Sequence, residues 1–125
     1  MYLSLELTLF FSILLLERSR KDAIIGRFFG GGGSGTWITV FDAGLKQIKE
    51  ISSSSGGTVW STVYFKENGK WVSLQTGSNP DGSKIEAENT LTMSDNGNTH
   101  TWTGTTMIGG KKVDELHDIY RRVSK

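Results

Sequence analysis

From Thr58 to Ile108 the chain alternates between apolar and polar positions in short runs, each cut by a turn signal. The reversals are Glu67-Asn68-Gly69, Pro80-Asp81-Gly82 and Asp95-Asn96-Gly97. The clearest run places Ile85, Ala87, Asn89, Leu91 and Met93 on one face, and Lys84, Glu86, Glu88, Thr90 and Thr92 on the other. Side chains alternate across a strand with period two, so this is the pattern of a half-buried antiparallel strand. Asn-Gly and Asp-Gly suit the reversals, because tight hairpin turns need positive φ, which glycine adopts freely and asparagine tolerates.

The same reading extends to both sides. Thr36 to Phe41 predicts a strand, with a turn at Asp42-Ala43-Gly44 and a further strand over Leu45 to Ser52. In the latter, Leu45, Ile48 and Ile51 are spaced by three, which also allows a short helical stretch; the adjacent turn and the β-branched residues favour the strand. Thr58 to Phe65 carries Trp60 and Tyr64 on one face against Val59, Val63 and Phe65 on the other. With both faces bulky, a second layer or a ligand is expected over what the core leaves open. Lys70 to Thr76 sets Trp71 opposite Val72 and Leu74. Thr99 to Ile108 sets His100, Trp102, Gly104 and Thr106 against a threonine ladder, with Gly104 marking an expected bulge or bend. After Gly109-Gly110, Lys111 to Val123 closes the chain, its part from Leu116 reading as a short strand or one helical turn. The prediction is an all-β protein, an antiparallel meander of six to eight strands curled into a half-barrel or small barrel.

The N-terminal stretch is less regular. Leu3, Leu5, Leu7, Leu9, Phe11 and Ile13 alternate as in a strand, whereas the run Leu9 to Leu16 also suits a helix or an export signal. A spanning helix needs about 20 apolar residues, and this run is shorter and carries Glu6. A signal peptide has positive charge before its apolar region, but Arg18, Arg20 and Lys21 follow it here. A packed strand or helix is preferred, ahead of membrane contact through residues 1–16 and of a cleaved signal. The segment 30–35, with glycine at five of its six positions, reads as a flexible joint. Lacking a following Gly-Lys-Ser/Thr, it is not a phosphate loop. The expected organisation is an apolar segment over 1–29, a linker over 30–35 and a β domain over 36–125.

Composition removes several function classes. With 14 basic against 13 acidic side chains, no strong field attracts a phosphate backbone, so nucleic acid is not an expected partner. No cysteine is present, which excludes disulfides, thiolate metal sites and a cysteine nucleophile. Cysteine usage leaves the compartment open, with a cytoplasmic location favoured over membrane association or export. The two histidines, His100 and His117, fall on separate segments without metal-ligand spacing, so no metal and no cofactor is expected.

Several short stretches resemble a known family: Gly35-Thr36, Phe41-Asp42, Ser55-Gly56-Gly57, Gly69-Lys70-Trp71, Pro80-Asp81-Gly82, Asn89-Thr90-Leu91-Thr92, His100-Thr101-Trp102 and Gly109-Gly110. Their order resembles the lipocalin-like β domain of bacterial proteins of the SgcJ/EcaC kind, which often lies behind a SnoaL-like domain. The resemblance covers about residues 35–123 and implies a lipocalin-like half-barrel or barrel, for a family whose biochemical role is not established. His100 stands where that family usually has an aromatic residue, and residues 1–34 do not match the cyclase-like domain. A stand-alone version or a shifted gene start is the expectation there.

The aromatics Trp37, Trp60, Trp71 and Trp102, with Tyr64, are either core or the wall of a ligand site. Trp60, Tyr64, Trp71, Trp102 and His100 are the candidate ligand-binding residues. The family pattern also implies a clasp in which Arg121 or Arg122 covers Trp37 by a cation-π contact. His100 is a weak candidate base without a local carboxylate partner; Asp114, Glu115, His117 and Asp118 read as a solvated face, and Glu86 and Glu88 as edge protection. The expected function is non-enzymatic binding of a small apolar molecule on a concave, aromatic-lined sheet face. The alternatives are a structural or self-associating domain, forming a homo-oligomer through sheet edges and the apolar N-terminus, and a cyclase- or isomerase-type enzyme.

Overall fold

The computed structural model describes residues 5–6, 13–20, 23–30 and 33–123, with side chains for 23–29 and 33–123. Among these the protein is all-β. The strands are β1 (Leu5–Glu6), β2 (Ile13–Arg20), β3 (Ala23–Gly30), β4 (Gly33–Asp42), β5 (Gln47–Ser54), β6 (Val59–Glu67), β7 (Lys70–Ser78), β8 (Lys84–Ser94), β9 (Thr99–Ile108) and β10 (Lys111–Arg122). They form one sheet in the order β1-β10-β9-β8-β7-β6-β5-β4-β3-β2, with every pairing antiparallel. From β2 to β10 it is an uninterrupted meander; β1 returns to pair with β10. No helix among the described residues is long and apolar enough to cross a membrane.

The predicted reversals fall where the turn chemistry puts them. Between β6 and β7, Asn68 and Gly69 both take positive φ, 49° and 77°, as a two-residue hairpin turn matched to strand twist requires. Gly109 and Gly110 do the same between β9 and β10, at 56° and 78°. Asp95-Asn96-Gly97 forms a short 3-10 turn whose Asn96 is left-handed, at φ 55°. Asp42 fixes the β4–β5 connection: its Oδ1 accepts from the Leu45 N–H at 3.0 Å and its Oδ2 from Lys49 at 2.8 Å.

Two local expectations are corrected, and the favoured strand over the β5 region holds. The glycine stretch 30–35 is not a linker, since Gly30 and Gly33 are directly paired and close a β3–β4 hairpin. β3 therefore joins the same sheet as β4. Residues 47–54 are strand throughout, and so is 111–122, so the helical options in both places fall away. Gly104 is not a bulge: it pairs regularly with Asn89 and with Leu116. The irregularity in this region lies at Val113, left over between the pairs Lys112–Met107 and Asp114–Thr106.

The sheet is curled. A flat sheet would hold β6 and β9 three strand spacings apart, about 14 Å, yet the rings of Tyr64 and Trp102 approach to 6.3 Å. Curling also brings residues of β1 and β2, the two edges of the sheet order, within 8 Å of each other. Glycines on the concave face make room for large side chains directly across from them. Trp37 lies over Gly26, Phe28 over Gly35, and Asn89 over Gly104, in each case where an added Cβ would overlap the opposing group. The buried centre lies on the inner face of β6 to β8, in Thr62, Ser73, Ile85, Ala87, Asn89 and Leu91. The outer face is unevenly apolar, with Ile38 and Ile51, directly opposed on β4 and β5, exposed by 41% and 60%.

Candidate functional site

Cross-strand register builds the inner face in rows. One row runs Thr39, Glu50, Thr62, Gln75, Ala87 across β4 to β8. The next runs Ile48, Tyr64, Ser73, Asn89, Gly104 from β5 to β9, and a third joins Lys66, Trp71, Leu91 and Trp102. Period-two alternation decides which side chains face inward; register decides which of them meet.

Where these rows are wide and the sheet bends, they line an open cavity of about 300 Å³. Its wall is Ile48, Tyr64, Trp71, Leu91, Met93 and Trp102, and Thr39 and Glu50 supply its polar corner. Tyr64 meets Trp102 edge-to-face, the arrangement that ring quadrupoles favour. Lys66 holds its ammonium 5.1 Å from the centroid of the Trp71 ring.

The polar corner is specific. The Thr39 hydroxyl donates to Glu50 Oε2 at 2.7 Å. Burial pushes the Glu50 carboxyl above its ordinary value, while hydrogen bonds with Thr39 and Tyr64 pull it part of the way back. Burial and the adjacent Glu50 charge drive the Tyr64 phenol far upward, so Tyr64 stays a neutral donor at any physiological pH. Beside this corner lies a second set of inward polar groups. Gln75 Nε2 donates to Thr62 Oγ1 at 3.3 Å, and Asn89 Nδ2 donates to Gln75 Oε1 at 3.0 Å and to Ser73 Oγ at 3.5 Å. Asn89 Oδ1, seated over Gly104, has no hydrogen-bond partner among the described residues. These bonds run across strands and tie β6, β7 and β8 together at side-chain level.

Of the residues singled out in the sequence, the structure brings Tyr64, Trp71 and Trp102 together in the cavity. Trp60 shares their face but sits two rows from Tyr64 and three from Trp71 and Trp102, opposite Gly77 on β7, and is not a wall residue. His100 also faces inward, paired with the wall residue Met93 and with Tyr120, but is not itself a wall residue. Asp118, inward and opposite Trp102, accepts from the Tyr120 hydroxyl at 3.4 Å. The clasp over Trp37 is absent among the described residues: that ring lies over Gly26, 6.4 Å from Phe28, and the cation-π contact is Lys66 on Trp71. Asp114 and Asp118 alternate with Glu115 and His117 across the sheet, so they do not converge, and no metal-holding group occurs among the described residues.

Sequence reasoning missed Thr39, Ile48, Glu50, Leu91 and Met93 as site residues. Leu91 and Met93 carried a usable signal, being on the apolar face of the best-defined strand. Glu50 carried none: a carboxylate beside Lys49 in a strand reads as solvent-facing until the register places it opposite Thr39 and Thr62. No protein-family model, curated protein or solved structure matches this chain.

Proposed function

We propose that the protein is a non-enzymatic binding module for a small, largely apolar molecule held on the concave face. One observation carries the reading: a single cavity draws wall residues from six consecutive strands, β4 to β9, and is aromatic and aliphatic apart from the Thr39–Glu50 corner. Small-molecule sites have this composition, an apolar wall with a few placed polar groups. At about 300 Å³ the space is at the small end of the usual range, which favours a compact ring compound over a long acyl chain. A lipocalin-like comparison is consistent with this use of a curled sheet, and it rests on the turn and packing motifs alone.

Tryptophan emission tests the reading directly, because Trp71 and Trp102 form the wall. A saturable change in emission is expected on titration with compact aromatic probes, and Trp71→Leu should weaken it by about tenfold or more through lost contact area. If the signal is equally strong in Trp71→Leu and Trp102→Leu, the ligand sits elsewhere.

A second reading, self-association, is favoured by the Ile38–Ile51 pair on the outer face. A two-fold interface presents the same patch from both copies, so an apolar pair of this kind is self-complementary. Sedimentation at increasing concentration should then show a dimer that Ile51→Lys abolishes; a monomer throughout removes the idea.

A further inference from the structure

Glu50 is a half-buried carboxylate that no cation pairs with among the described residues. Among the described residues the salt bridges join Lys49 to Asp42, Lys84 to Glu86 and Lys112 to Glu115, and none reaches Glu50. Lys49, its neighbour in the strand, alternates to the outer face and pairs with Asp42 at 2.8 Å. Thr39 and Tyr64 satisfy part of the carboxylate, but they bring no positive charge. Taking a carboxylate out of water costs free energy that a cationic partner restores.

The same cavity presents three aromatic rings, Tyr64, Trp71 and Trp102. Ring faces are negative and attract cations, tryptophan most strongly. The Trp71 ring already does so, with the Lys66 ammonium over it at 5.1 Å. A carboxylate at one corner and cation-attracting rings along the wall complement one kind of guest.

We infer, building on the binding reading above, that the cavity selects a small protonated amine with an aromatic or apolar body. Its ammonium donates to Glu50, and its body lies against Trp102 and Leu91. The ammonium supplies the missing charge and more than one donor, and the body fills an apolar space of about 300 Å³. A carboxylic acid of the same shape meets Glu50 as a like charge and is rejected; a neutral alcohol retains the wall contacts and loses the charge pairing.

The test uses the full chain at pH 7.5 and three probes of matched shape: 2-phenylethylamine, 2-phenylethanol and 3-phenylpropanoate. Binding is read by tryptophan emission and by titration calorimetry. The amine is expected to bind at least about tenfold more tightly than the alcohol, with the acid weakest. In Glu50→Gln, checked for folding by far-ultraviolet circular dichroism, the amine should fall to the level of the alcohol. The wild-type comparison stands on its own if that variant misfolds. Should the alcohol or the acid match the amine, or the preference survive in folded Glu50→Gln, the amine inference is overturned while the binding site stands. If none of the three binds, the cavity reading fails and the inference with it.

Discussion

Among the described residues Glu50 is the one carboxylate lining the cavity, and its surroundings fix the sign of a pH effect. Its folded value lies above the ordinary 4.5 because burial outweighs its hydrogen bonds. A raised carboxyl means that the folded state holds its proton longer than the unfolded one. The contribution to stability is therefore complete below 4.5 and is lost as pH rises through the folded value. Asp42, Asp81 and Glu115 are shifted downward and act in the opposite sense, gaining as pH rises, so the wild-type profile alone mixes both. Subtraction isolates Glu50. The stability of Glu50→Gln relative to wild type should grow in the variant's favour between pH 4 and pH 7, as measured by urea unfolding. An unchanging difference would mean that Glu50 is as well solvated as in the unfolded chain. The chemistry of this residue was not legible in the sequence, because a strand carboxylate shows nothing of its burial until the strands beside it are known.

At the scale of the strand and its turn, two glycines that look alike in the sequence do different work. Gly69 occupies the second position of the β6–β7 turn at φ 77°, with nothing within 4 Å of where a Cβ would sit. Gly104 is an ordinary strand residue, but a Cβ there would overlap Asn89 Oδ1 and the Glu88 carbonyl. Gly69→Ala should cost only the strain of a left-handed alanine, about 1–2 kcal/mol. Gly104→Ala must move a backbone carbonyl and the Asn89 amide within a buried sheet, about 1–3 kcal/mol or more. The discriminating readout is structural: Asn89 side-chain resonances should shift in Gly104→Ala and not in Gly69→Ala, alongside lower urea midpoints in both. If Gly104→Ala leaves Asn89 unmoved, the Asn89 amide does not pack against Gly104 and the glycine has no such role. The turns were legible because positive φ is written locally in Asn-Gly and Gly-Gly. The role of Gly104, like the pairing of Gly26 with Trp37, depends on a partner in another strand. That is why a bend was expected where a close approach is found. The 30–35 stretch misled in the converse way: its glycines suggest a loose joint, and only the pairing of Gly30 with Gly33 shows them to be strand residues.

For the molecule as a whole, the curl raises the question of whether the sheet behaves as an open half-barrel or as a closed ring. The meander gives each strand neighbours adjacent in sequence, and the exception, β1 on β10, is two residues long. Burial is concentrated in the middle: the side chains of Thr62, Val72, Ser73, Ile85, Ala87, Asn89 and Leu91 lie on β6, β7 and β8, and the polar bonds among Thr62, Gln75, Ser73 and Asn89 cross the same strands. Local opening follows low burial, so an open sheet should exchange its amides in a gradient. Protection should be greatest in β7 and β8 and decline towards β3 on one side and β10 on the other. A closed ring would unfold as a unit and give uniform protection. Hydrogen exchange on the free protein therefore distinguishes the two, and a ligand sharpens the comparison. A guest held by Thr39, Glu50, Trp71 and Trp102 joins strands from β4 to β9, so it should raise protection across those strands and leave β10 nearly unchanged. Equal gains in β10 would show that the two sides of the sheet are already coupled, and that the cavity is enclosed by the complete circuit of strands instead of by the bend of its central six.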